Sequence, residues 1–441
     1  MGIWSWLTGE ESDDFKPDIR IGRYSDCYKK PENYNAWELS LQAFEQKKYQ
    51  ESYIHFFTYL YDETQDNIQW DIENGVIKAL LVQGSQKINI IASETQFSAY
   101  AAVAKADDLH VGLMRRLLEH NDNLVFCHFA LSPENEIKLV FSSCSIDCSP
   151  YKLYYALKEL ATISDKQDNL LINEFKTLRI TDPSLRIPIP EKDKEIKYSY
   201  ALETLTNRKE IFESAVLDFE LHARAGSYLL LDALLRVDYL TSPEGYVMEV
   251  IERAFREFSM SDGNTLLQKN EKLKNEIQTL LSRSKEDYCN ELYKINCTFG
   301  NTAVVNYERI VEIITENIGS AEWYENNNFP FIAQAVYDYI VGFIFFTCSP
   351  PANIRELLQL YFEVIEEPYF KALGFHLSYF NEDGSPNKVE IENKLQEIQS
   401  AHEYNYPKAV FFAEMLDYSN SNSFSKTFLM MICEVDMTRS N

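Results

Sequence analysis

The stretch VIKALLVQGSQKINIIASETQFSAYAAVA, residues 76–104, decides how this chain is read. It contains three short runs, 76–82, 86–92 and 97–104. Gln83-Gly84-Ser85 separates the first two, and glycine supplies the positive φ of a tight hairpin. In the second run Ile88, Ile90 and Ala92 alternate with Lys87, Asn89 and Ile91. In the third, Phe97, Ala99, Ala101 and Val103 share one face. Period-two alternation lays such residues on one side of a sheet.

Working outward, Asp107-Asp108 precedes Leu109, Leu113 and Leu117, with Met114 and Leu118 beside them. This spacing predicts one apolar helical stripe, and the acidic start suits capping and the helix dipole. Asn121-Asp122-Asn123 ends it. A second hairpin follows: Val125, Cys127, Phe129 and Leu131 form one face, Ser132-Pro133-Glu134-Asn135 turns the chain, and Ile137, Leu139 and Phe141 return. Ser149-Pro150 reads as a cap with a first-turn proline. The helix it opens turns Leu153, Tyr154, Leu157, Leu160 and Ala161 inward. The predicted order is βββ-α-ββ-α, with helices shielding one face of an antiparallel sheet.

That order, the phrase LMRRLLEHNDNLVFCHFAL (residues 113–131) and the run 136–165 resemble the YbjN-like family, related in fold to the type III secretion chaperones. The resemblance covers about residues 70–178. It implies a small, non-catalytic α+β module, usually dimeric, that binds or regulates other proteins. Such chaperones are typically acidic. This chain is much longer than those modules, and its extra segments could cover the surface they use for pairing.

The 441 residues are enough for two or three domains. A hydrophobic content of 45% with 14% aromatics describes an ordered globular protein. The net charge of −26 repels phosphate backbones, which argues against a nucleic-acid partner. Eight scattered cysteines without a visible signal peptide predict reduced thiols and a cytoplasmic location. The most apolar run, 339–348, is about half the length a bilayer core requires and reads as a buried core helix.

The organisation expected is an N-terminal segment (1–33), a helical hairpin (34–64), the α+β domain (65–180), an exposed linker (181–205) and an all-α domain (206–441). The N-terminal segment carries an apolar patch at Ile3, Trp4, Trp6 and Leu7. The hairpin resembles a single tetratricopeptide-type unit led by Trp37, Leu41 and Phe44, then Tyr53, Phe56, Phe57 and Leu60. Asp182-Pro183, Pro188, Pro190 and the charged run 191–197 mark the linker. Helices are expected at 211–223, 227–239, after Ser242-Pro243, at 266–280, 304–318, 331–346, 354–365, 389–401 and 409–416. A last apolar stretch, 424–435, docks on the bundle.

No phosphate-binding loop, dinucleotide fingerprint, nucleophile elbow or HExxH zinc motif occurs. Cys127, His128, Cys144 and Cys148 are of metal-binding type. Cys127 and His128 are strand neighbours pointing to opposite faces, so buried cysteine is the simpler reading. Arg115-Arg116 reads as a solvated helix face or a contact for an acidic partner. Tyr151, Tyr154 and Tyr155 read as packing or as the wall of a peptide groove. No catalytic, cofactor-binding or metal residue is assigned, and no cofactor is called for. The expectation is a cytoplasmic, non-enzymatic protein-binding or regulatory protein. Its partner would be another protein or peptide, with homodimerisation an option and membrane contact confined to the N-terminal tryptophan patch. The alternatives are an enzyme with its pocket between the two domains and a peripheral membrane scaffold led by Trp4 and Trp6.

Overall fold

Gly84, at φ +55, makes the tight turn between the runs 76–82 and 86–92, and Gln83 and Gln86 close the hairpin beneath it. The structure is a computed structural model, and it describes residues 17–214 and 216–438. Two helices come first, α1 (Pro31–Glu45) and α2 (Tyr49–Leu60). Four strands follow: β1 (Ile68–Glu73), β2 (Val76–Gln83), β3 (Gln86–Ala92) and β4 (Gln96–Ala106). Then come α3 (Val111–Asn121), β5 (His128–Leu131), β6 (Glu136–Cys144), α4 (Pro150–Glu174) and β7 (Leu178–Arg179).

The sheet runs β1-β2-β3-β4-β6-β5, with β7 pairing β4, and every pairing is antiparallel. Alternation decides which face is covered. Ile77, Ala79, Leu81, Ile88, Ile90, Phe97, Ala99, Ile137 and Leu139 are buried against Tyr53, Phe56 and Phe57 of α2 and Leu153, Leu157 and Leu160 of α4. The protein is therefore a mixed fold with an antiparallel sheet and many helices. The strand β1 was not expected, although Ile68, Trp70 and Ile72 alternate with Gln69, Asp71 and Glu73 along it.

The second half holds α5 (Glu191–Glu213), α6 (Ala223–Thr241), α7 (Gly245–Ser259), α8 (Leu266–Leu281) and α9 (Lys285–Cys289). It continues with α10 (Tyr307–Asn326), α11 (Pro330–Thr347), α12 (Ala352–Ile365), α13 (Glu367–Ala372), α14 (Lys388–His402) and α15 (Ser421–Cys433). Helix α6 is buried from Ala225 to its end. Helix α11 is the one described helix long and apolar enough to cross a membrane; Ile332, Val336, Ile340 and Ile344 lie wholly within the helical core.

Several expectations are corrected. Much of the linker span 181–205 is helix: α5 starts at Glu191, and its Lys197, Ala201 and Leu205 are buried. Lys197 apart, the charges that suggest exposure are solvated or half-buried on that helix, and Glu191 and Asp193 in its first turn favour the helix dipole. The span 211–223 is not one helix, since α5 stops at Glu213 and α6 opens at Ala223. The span 409–416 is irregular apart from a short 3-10 turn, Ala413–Met415. The second half is also not purely helical: Ile187–Pro188 pairs with Tyr293–Lys294, and Ala303–Val304 with Cys348–Ser349. The patch at Ile3, Trp4, Trp6 and Leu7 lies outside the described residues.

The two halves interpenetrate. Phe299, from the loop before α10, is 2% exposed and belongs to the core beneath the sheet. Its neighbour Asn296 accepts the Gly84 N–H at 2.9 Å, so a segment of the helical half closes over the first hairpin.

Candidate functional site

Residues 17–30 form no regular element and run as a strap between the halves. Toward the sheet, Arg20 donates to the Gln65 side chain (2.9 Å) and the Thr64 carbonyl (3.0 Å). Tyr24 donates to Asp62 (2.9 Å), and Asp26 accepts from Tyr154 (2.7 Å). Toward the helices, Arg23 donates to both Asp238 oxygens (2.8 and 2.6 Å) and to Glu252 (2.8 Å). Gly22, at φ +78, donates its N–H to the Tyr239 carbonyl, where any Cβ would run into the tyrosine ring.

Beside the strap lies a cavity of about 1070 Å³, bounded by the strap, α4, the turn before α7 and the segment around Tyr293 and Cys297. Glu244 faces it from the N-cap position of α7 but makes no capping bond. The Val247 N–H, which a capping side chain would ordinarily satisfy, donates instead to Glu291 (2.8 Å). Ser242 (φ +47) and Gly245 (φ +58) are both left-handed, so the turn that presents Glu244 is held in a conformation few residues accept.

Opposite is α4. Asp165 accepts from the Ser85 N–H (2.7 Å) and hydroxyl (3.1 Å). Asp168 accepts from Ser85 (2.6 Å), Gln86 (2.8 Å) and Asn169 (2.7 Å). Between these two aspartates Lys166 pairs with Glu249 and Glu252. Burial, helped by the neighbouring Asp168, pushes the Asp165 carboxyl up to about 7. Burial likewise pushes Asp168 up to about 6. Glu244 is driven well above the usual carboxylate range by burial and then by the Asp165 charge. Lys197 donates to the Thr241 carbonyl (3.0 Å), and burial lowers its ammonium to about 8.

A second feature is the face of the sheet away from α2 and α4. Leu80, Asn89, Tyr100, Val140 and His128 lie in register across it, with Ile91 in the next row beside Lys78 and Ser98. Leu80, Tyr100 and Val140 are half-buried and Ile91 is 50% exposed, and none belongs to a described core cluster. At one margin β5 is blunted, because Asn121 accepts the Phe129 N–H (2.6 Å) and donates to its carbonyl (3.4 Å). At the other margin β1 pairs only with β2 among the described residues.

The residues singled out by sequence are distributed as follows. Cys127 is buried and donates to the Ala156 carbonyl, while Cys144 is exposed; no group of described histidines, cysteines and carboxylates could hold a metal ion. Arg115 pairs with Glu119 and Arg116 with Glu174, so neither cation awaits a partner. Tyr154 is bound to the strap through Asp26. Tyr151 packs edge-on to Trp37, and Tyr155 is 58% exposed. Sequence reasoning missed Arg23, Asp165 and Glu244. The Ser242-Pro243 pair does signal the turn before α7, but nothing local announces that the next side chain faces a cavity built from three distant segments.

No family model matches the chain, and no curated protein is significantly similar to it.

Proposed function

We propose that this is a non-enzymatic binding protein that holds a segment of another polypeptide against its sheet, in keeping with the likeness to YbjN-like and secretion-chaperone modules. The observation that carries the reading is the edge of β1, which among the described residues pairs only with β2 and borders a sheet face with an apolar row that no described core cluster covers. An extended segment adding to β1 would satisfy its outward N–H and C=O groups, and the flank of that segment, laid across Leu80, Ile91 and Tyr100 on the sheet face, would give selectivity. Asp71 and Glu73 on β1 and the net charge of −26 favour a segment with basic residues and speed its encounter. The same edge would also accept a second copy of the chain.

The test is affinity capture with the full chain followed by mass spectrometry, wild type beside Ile91→Lys and Leu80→Lys. Partners retained by the wild type and lost from both variants support the proposal. A profile matching the tag alone overturns it. The cavity between the halves favours a second reading, an enzyme acting on a small molecule there; turnover in a metabolite screen, abolished by Asp165→Asn, would establish it.

A further inference from the structure

The cavity holds an imbalance of charge. Asp165, Asp238, Glu244 and Glu252 line it, and Asp168 and Glu249 stand behind them, Asp168 on the Ser85 hydroxyl and Glu249 on Lys166. On the same wall are Arg23 from the strap and Lys166 from α4, and Arg186 stands behind it over the Tyr293 ring. Arg23 is engaged by Asp238 and Glu252, Lys166 by Glu249 and Glu252, and Arg186 by Asn169 and the Tyr293 ring. Glu244 is left over. Among the described residues its carboxylate has no hydrogen bond and no ion pair, although it faces an internal space large enough for a small molecule. Glu244 is partly buried, and a carboxylate drawn partly out of water without a partner is costly; the cost falls if a cation arrives beside it. Elsewhere on the wall Lys197 and Lys29 each donate to a carbonyl, and Arg355 stacks on Tyr28.

We propose that this cavity is a binding site for a small organic cation, an ammonium or guanidinium compound, received between Glu244 and Asp165. The remaining wall suits the body of such a molecule, since Tyr24, Tyr293, Met248 and Phe299 offer apolar and aromatic surface. Ser85 fixes Asp165 through two hydrogen bonds, so that carboxylate is preset; Glu244 is the adjustable one. The pair carries a proton near neutral pH when the cavity is empty, and an incoming cation displaces it. The site is independent of the sheet face, on which the capture of a polypeptide rests.

The experiment is calorimetric titration of the full chain at neutral pH with putrescine, agmatine and L-arginine, with butanediol as the uncharged counterpart of putrescine. Saturable binding of at least one cation is expected, with Kd below about 1 mM. Its heat should change with the ionisation heat of the buffer, the sign of proton release. Glu244→Gln has the shape of the protonated acid and keeps the fold, which thermal unfolding close to wild type verifies; it should bind at least tenfold more weakly. Asp165→Asn should weaken binding as well, and Ile91→Lys should leave it unchanged. A preference for arginine over agmatine would assign the ligand a carboxylate, and the reverse a simple amine. Absence of saturable binding by all three, equal binding by Glu244→Gln, or equal affinity for butanediol would overturn the proposal.

Discussion

Arg23 grips Asp238 with two hydrogen bonds of 2.8 and 2.6 Å, joining a strap near the start of the chain to a carboxylate that is 4% exposed in the middle of the helical half. A bidentate guanidinium–carboxylate pair is strong and directional. Its removal leaves Asp238 buried beside Glu252 without its partner. Arg23→Ala should therefore destabilise the protein by about 3–5 kcal/mol. Denaturant unfolding checks this, and a loss within about 0.5 kcal/mol would show that the strap is not anchored as described.

The buried carboxyls also shape the response to pH. Asp165 is raised from the usual 3.8 to about 7, so the folded chain keeps a proton that the unfolded chain has lost. The folded state binds more protons across that interval, and stability from this group must fall as pH rises from about 4 toward about 7. Asp168, pushed up to about 6, acts in the same direction. Thermal unfolding across this range should show a declining midpoint, and Asp165→Asn should flatten the decline. A midpoint that rises with pH, equally in wild type and variant, would contradict the burial of these groups.

Phe299 ties the second half to the first, because it lies in the core beneath the sheet and contacts Tyr154 edge-on at 5.5 Å. Phe299→Ala should cost about 3–5 kcal/mol. The loss should also appear in the sheet half, as faster hydrogen exchange in the hairpin around Gly84, whose N–H is held by Asn296. Faster exchange confined to the helices would mean that the two halves fold separately.

Much of the sheet was readable from the chain because its signals are local. Ile88, Ile90 and Ala92 alternate over adjacent residues, and Gly84 marks its own turn. Helix α4 announces itself by Ser149-Pro150, and Ser149 does accept the Lys152 N–H. The signal failed where tertiary contacts overrule local chemistry. The charged run 191–197 has the composition of a linker, yet Lys197 on that run is buried and bonded to the Thr241 carbonyl. Strand β1 was legible and missed: Ile68, Trp70 and Ile72 alternate with Gln69, Asp71 and Glu73, and Asn74-Gly75 marks the turn into β2. A pocket between the two halves was carried as an alternative, but its residues were not legible: Arg23, Asp165 and Glu244 are far apart in sequence and come together on its wall only once strap, α4 and α7 are packed.

Strand addition at β1 is tested most directly by hydrogen exchange of the full chain with and without a captured partner. Amides of Ile68–Glu73 should exchange more slowly in the complex, together with partial protection of β2 and β3 where the flank of the segment crosses the sheet face. Unchanged exchange in Ile68–Glu73, with protection appearing only on the helices, would contradict capture at the sheet.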